Sequence, residues 1–138
     1  MGRKQVYLMT NKKYIWGYHS AFDCGGCDKT RITNGDNIKA FSKELVKRID
    51  MKAYGEPVVV HFAEHDPSKA GYTLVQLIET SNICAHFVDA TGEAYIDVFS
   101  CKDFDIDVVM ETITEFFGPD SISMYQLERG ASYLQGAA

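Results

Sequence analysis

The chain has 138 residues, enough for one domain with one core and short for two. Its 46% apolar and 24% charged residues are the make-up of an ordinary globular protein, and a net charge of −5 speaks against nucleic acid or an anionic membrane as the main partner, since both call for a basic surface. No window approaches the roughly 20 apolar residues of a transmembrane span. Residues 1–6 lack the apolar run of a signal peptide, which points to the cytoplasm. In that compartment the four cysteines are not expected to form a disulfide framework.

Residues 1–13 are polar and are expected to be loosely attached. Residues 14–22, rich in aromatic side chains, predict a first strand. Asp23-Cys24-Gly25-Gly26-Cys27-Asp28 breaks it, and the loop runs on through Asn34-Gly35-Asp36-Asn37. Ile38, Phe41, Leu45, Val46 and Ile49 recur at helical spacing, with Lys39, Lys43, Glu44, Lys47 and Arg48 mostly opposite. This is an amphipathic helix of about three to four turns, capped by Asp36 or Asn37. Tyr54-Gly55-Glu56-Pro57 predicts a turn, and residues 58–62 a buried β-branched strand.

After a polar loop over residues 64–71, residues 72–78 form the next strand. Thr73, Val75 and Leu77 lie on one of its faces, and Leu74, Gln76 and Ile78 on the other. Residues 79–82 turn the chain and residues 83–88 return. Ala90-Thr91-Gly92-Glu93 makes a second hairpin turn. Residues 95–101 complete the meander, with Tyr95, Asp97, Phe99 and Cys101 sharing a face. Asp103 or Asp105 caps a second helix whose apolar side is Ile106, Val109, Met110, Ile113, Phe116 and Phe117, and Gly118-Pro119 ends it. Residues 121–127 predict a last strand, and the tail from Glu128 is expected to be loose. The order β-α-β-β-β-β-α-β implies a single α+β domain over residues 1–138. Its expected form is a two-layer sandwich, a mainly antiparallel sheet with two helices on one face.

The chemistry concentrates on the meander. Ser81 sits at its first turn, His86 follows five residues later, and Cys101 comes fifteen residues after His86. Hydroxyl, imidazole and thiol are common choices for nucleophile, base and acid. Singly, each has an ordinary explanation: Ser81 as a turn former, His86 as a packed strand histidine, Cys101 as a small buried residue. Together, the two spacings, with Thr73 eight residues before Ser81, resemble the S-adenosylmethionine decarboxylase family of small prokaryotic pyruvoyl-dependent enzymes. The similarity is clearest from Gly71 to Cys101.

That resemblance implies a proenzyme cleaved between Thr80 and Ser81 into chains of residues 1–80 and 81–138. Ser81 would become the pyruvoyl cofactor, which binds the substrate amine as a Schiff base and serves as electron sink. Thr73 would be the processing hydroxyl, His86 the processing base and Cys101 the proton donor. The substrate would be a small molecule, S-adenosylmethionine, serving polyamine biosynthesis, and the assembly a homodimer covering the open sheet face. The sequence departs from the family in two places. Thr80-Ser81-Asn82 replaces the usual Glu-Ser-His, and Phe87-Val88-Asp89-Ala90 stands where many members have Thr-Trp-Pro-Glu. Glu79, Asp89 and Asp97 are candidate substrate carboxylates, and they suit a cationic amino acid equally well. An ornithine or arginine decarboxylase with the same machinery is therefore the near alternative, and a non-cleaving dimeric binding module the distant one.

Cys24-Gly25-Gly26-Cys27 is compatible with a redox pair or half a zinc site. The other cysteines belong to the meander and His19 is the only histidine nearby, so the expectation is a glycine-rich turn and no metal. His61 and His65 flank a strand end and are isolated in sequence.

Overall fold

The computed structural model describes residues 3–9 and 14–131. Their elements are β1 (Arg3–Met9), β2 (Gly17–Gly25), a short α1 (Lys29–Ile32), α2 (Gly35–Arg48), β3 (Ala53–Phe62), β4 (Gly71–Ile78), β5 (Ser81–Val88), β6 (Glu93–Ser100), α3 (Ile106–Phe117) and β7 (Ser121–Arg129). The strands form one sheet in the order β1-β7-β2-β6-β5-β4-β3. Every pairing is antiparallel except that of β1 with β7. The helices lie on one face, giving the expected two-layer α+β sandwich.

Helix α2 turns Ile38, Phe41, Leu45 and Val46 toward the sheet, and α3 does the same with Val109, Met110, Ile113 and Phe117. The sheet answers with alternate residues: Phe22, Leu74, Ile78, Ile83, Phe87, Ile96 and Val98 are all buried. Phe117 is the hub, its ring centroid 4.7 Å from Phe41 and 4.9 Å from Phe87. Truncating so central a ring to alanine costs about 3–5 kcal/mol. Asp105 caps α3 through its side chain, and Gly118, at a φ of 55°, ends it in the left-handed conformation that glycine adopts without strain.

Several local expectations change. Residues 3–9 are not loose but form β1, in parallel register with β7 from Arg3↔Ser121 to Met9↔Leu127. Its pairing partner is more than a hundred residues away in sequence, so no local pattern announces it. The first strand begins at Gly17 and runs through Gly25, three residues past its predicted end, and α1 lies in what reads as a loop. The cap of α2 is Asn34, whose side chain accepts from the Asn37 N–H, rather than Asp36 or Asn37. Tyr54-Gly55-Glu56-Pro57 is not a turn but an irregularity within β3, where the register with β4 shifts. The buried Gln76 amide donates to the Gly55 carbonyl at 3.2 Å and so stitches that irregularity to the sheet.

The strand at residues 58–62 is not buried. It is the sheet edge, and Val58, Val60 and Phe62 are 58%, 41% and 52% exposed. Its β-branched run marks a strand but not the strand's place in the sheet. At the other end, Glu128 and Arg129 are not in a loose tail but pair with Tyr18 and Gly17. The rest of the expected loose termini, residues 1–2, 10–13 and 132–138, lies outside the described residues. Among those described, no helix is long and apolar enough to cross a membrane.

Candidate active site

The β4–β5 hairpin turns in two residues, Glu79 and Thr80, with Ile78 and Ser81 facing each other at its mouth. Ser81 also pairs with Ser100 across the β5–β6 ladder. That pairing brings Cys101, one residue beyond β6 and exposed, to the hairpin, where its backbone N–H donates to the Thr80 carbonyl at 3.1 Å. The carbonyl directly before Ser81 therefore has a fixed donor. On the other side the Glu79 N–H donates to the Lys52 carbonyl at 2.9 Å.

Thr73 and His86 are direct partners in the β4–β5 ladder. Thr73 Oγ1 stands 2.8 Å from His86 Nδ1, and His86 Nε2 stands 2.8 Å from the Lys69 carbonyl oxygen. A carbonyl only accepts, so Nε2 carries the proton. Nδ1 is then the lone-pair nitrogen, and the Thr73 hydroxyl donates to it. The register that makes this pair depends on Gly71: a Cβ there would lie 1.6 Å from the Phe87 carbonyl oxygen. Only a residue without a side chain lets β4 approach β5 that closely.

The four sequence-predicted residues thus fall into two pairs, Ser81 with Cys101 and Thr73 with His86. Five residues of extended strand separate Ser81 from His86, about 17 Å at the usual rise. They also differ in parity. His86 belongs with Asn82 and Cys84 on the open face, whereas Ser81 has the parity of the buried Ile83 and Ala85. One chain does not bring all four together.

The three candidate carboxylates have basic neighbours. Asp89 Oδ2 is 2.6 Å from His61 Nε2, and His61 Nδ1 is 3.0 Å from Glu64 Oε1. The hydrogen bond to Asp89, reinforced by Glu64, raises the His61 pKa above its ordinary value. Asp97 lies on the open face, 3.1 Å from His19 Nε2. Arg129 donates to His19 Nδ1 at 3.0 Å and stacks over Phe99, which Trp16 also approaches. Burial and then the nearby Asp97 charge push up both Asp23 and Cys84. Glu79, exposed on the hairpin, is 3.5 Å from Lys52 Nζ. Ser100, the Lys69 carbonyl and His61 escape sequence reasoning. A backbone carbonyl has no side-chain signature, and an isolated serine or histidine carries no spacing to recognise.

Cys24 and Cys27 are buried, and burial raises both thiol pKa values, that of Cys27 to about 11. His19 points to the opposite face of β2 from Cys24. Among the described residues no group of three or more His, Cys, Asp or Glu is placed to hold a metal ion.

Fold and site together define a two-layer α+β protein with hydroxyl, imidazole and thiol groups on adjacent strands of one open-faced sheet. Residues 18–130 match the model of the family described as S-adenosylmethionine decarboxylase. The S-adenosylmethionine decarboxylase proenzyme of Methanococcus vannielii is 30% identical over 116 residues, covering 83% of this chain and 89% of its own. That of Bacillus velezensis is 26% identical over 119 residues, covering 86% and 90%. The crystal structure of the adenosylmethionine decarboxylase from Aquifex aeolicus superposes with a TM-score of 0.71 at 25% identity, over 85% of this chain and 92% of that one. The chain belongs to the S-adenosylmethionine decarboxylase family.

Proposed function

We propose that this chain is the proenzyme of an S-adenosylmethionine decarboxylase, a pyruvoyl-dependent carboxy-lyase that cleaves itself between Thr80 and Ser81. The observation that carries the reading is the hairpin, where Ser81 directly follows a carbonyl already held by the Cys101 N–H. Ser81 Oγ attacks that carbonyl carbon, the hydroxyl proton passes to the amide nitrogen, and the C–N bond breaks to leave an ester. A donor aimed at the carbonyl oxygen stabilises the charge that develops there. A base then takes the Ser81 Cα proton, the Cβ–O bond breaks, and Thr80 leaves as a carboxylate. Water replaces the amine of the remaining dehydroalanine, releasing ammonia.

His86 is suited to be that base, because its Nδ1 lone pair is kept in place by the Nε2–H bond to the Lys69 carbonyl. Thr73, bonded to the same nitrogen, is the processing hydroxyl. The residues fit formation of a pyruvoyl group at position 81, which when present supplies the electron sink for losing carbon dioxide from an amino acid. Cys101, exposed just beyond β6 with its N–H on the Thr80 carbonyl, is the proton donor to the decarboxylated carbon. Glu79 at the hairpin, 3.5 Å from Lys52 Nζ, is the carboxylate most open to a cationic substrate. Asp97 would first have to release His19, and Asp89 would have to release His61.

The separation of the two pairs supports a homodimer in which each site takes Ser81 and Cys101 from one copy and Thr73 and His86 from the other. The open face has the surface for it, since Val58, Val60, Phe62, Val75 and Leu77 form exposed apolar rows on adjacent strands. The test is intact mass of freshly purified protein beside Ser81→Ala, followed by carbon dioxide release from S-adenosylmethionine, ornithine and arginine. Two fragments meeting at Thr80/Ser81, absent in the variant, with release from S-adenosylmethionine alone, is the expected result. An uncleaved wild-type chain would sink the proposal and leave the binding module.

A further inference from the structure

Resting on self-cleavage at Thr80/Ser81, we infer that Ser100 is a positioning residue for that step, acting through the Thr80 side chain. Ser100 is fully buried, so its hydroxyl needs partners within the protein. The Lys102 N–H donates to Ser100 Oγ at 3.0 Å, which leaves the hydroxyl proton free to donate to Thr80 Oγ1 at 2.7 Å. The Thr80 hydroxyl in turn donates toward Met51 Sδ at 3.3 Å. Each proton in this chain of bonds is accounted for, and each bond converges on the scissile residue or on the turn that carries Cys101.

Thr80 is therefore gripped twice by consecutive residues. Ser100 holds its side chain, and the Cys101 N–H holds its carbonyl oxygen at 3.1 Å. Anchoring both removes the freedom of Thr80 ψ, the torsion that swings the carbonyl toward or away from the Cys101 donor. Holding a reacting carbonyl in one orientation is a principal source of rate in intramolecular reactions. The bond from Lys102 to Ser100 also folds the chain around Cys101 and aims its N–H. The neighbouring inward positions of β6, Ala94, Ile96 and Val98, are all apolar and buried. The Ser100 hydroxyl is the polar exception in that row, and its partners are the scissile residue and the Cys101 turn. Where the family has glutamate, this chain has a threonine that Ser100 can reach.

The test follows precursor conversion after cell-free synthesis for wild type, Ser100→Ala, Ser100→Thr, Thr80→Val and the Ser100→Ala/Thr80→Val double variant. Ser100→Ala and Thr80→Val are each expected to slow cleavage about tenfold or more. Ser100→Thr, which keeps the hydroxyl, should retain a rate nearer wild type, and the double variant should be no slower than the slower single one. Thr80 is only part-buried, so Thr80→Val carries the test even where a core change at position 100 impairs folding. Wild-type cleavage rates in either single variant, or additive losses in the double, would overturn the inference while leaving self-cleavage intact. A wild-type chain that never cleaves would overturn both.

Discussion

Thr73 Oγ1 lies 2.8 Å from Nδ1 of His86, its direct partner across the β4–β5 ladder. The bond from His86 Nε2 to the Lys69 carbonyl decides which nitrogen is basic, so the pair has a direction. The hydroxyl donates and the imidazole accepts. If His86 removes the Ser81 Cα proton, its loss should stop maturation after the acyl shift and before elimination. His86→Ala is expected to accumulate an ester at Thr80/Ser81. Hydroxylamine should cleave that ester to yield a Thr80 hydroxamate visible by mass spectrometry, while an amide left untouched by hydroxylamine would place His86 earlier in the sequence.

The distance of about 17 Å along β5 from Ser81 to His86 leads to a complementation prediction. If the proposed homodimer forms, co-expressed Ser81→Ala and His86→Ala chains should give mixed dimers in which one site has Ser81 from the second chain and His86 from the first. The His86→Ala chain should then be cleaved in the mixture and stay intact alone. Absence of cleavage in a mixture shown to contain mixed dimers would argue for a site within one chain.

Cys101 offers two separable groups, a backbone N–H on the Thr80 carbonyl and an exposed thiol. Cys101→Ala keeps the first and removes the second. It should still cleave, and should lose turnover on S-adenosylmethionine by about 100-fold, the usual worth of a placed general acid. Gel analysis of cleavage beside carbon dioxide release separates the two effects. In native protein, alkylation should also reach Cys101 well before Cys24 or Cys27, which are buried with raised thiol pKa values.

His61 ties the end of β3 to Asp89 and Glu64. Its raised pKa means that the folded state binds its proton more tightly than the unfolded state does. The stabilisation is complete below the unfolded histidine value of about 6.5 and is lost as pH rises through the folded value. The gap in melting temperature between wild type and His61→Gln should be widest at acid pH and narrow toward alkaline pH. A gap that widens with pH would reverse the sign and rule out this ion-pair account. The same anchor borders the Thr73–His86 pair, since the Asp89 N–H holds the Ala70 carbonyl next to the Lys69 carbonyl that orients His86.

Much of this protein is decided by local pattern. The 3.6-residue rhythm of residues 38–49 and 106–117 determines two helices with one apolar side. The alternation of residues 72–101 determines a meander with Thr73 and Asp97 on one face and Leu74 and Val98 on the other, because successive strand side chains point to opposite faces. The spacing of Thr73, Ser81, His86 and Cys101 was legible for the same reason, being counted along one stretch of chain. What required the folded molecule is long-range. The pairing of β1 with β7, the edge position of β3, the bond from His61 to Asp89 and the hydroxyl pair of Thr80 with Ser100 all join segments whose separation in sequence carries no periodic signal. Cys101 reaches the Thr80 carbonyl only because β5 and β6 align in one register. Ser81 and His86, neighbours on paper, are held apart only because the strand between them is extended.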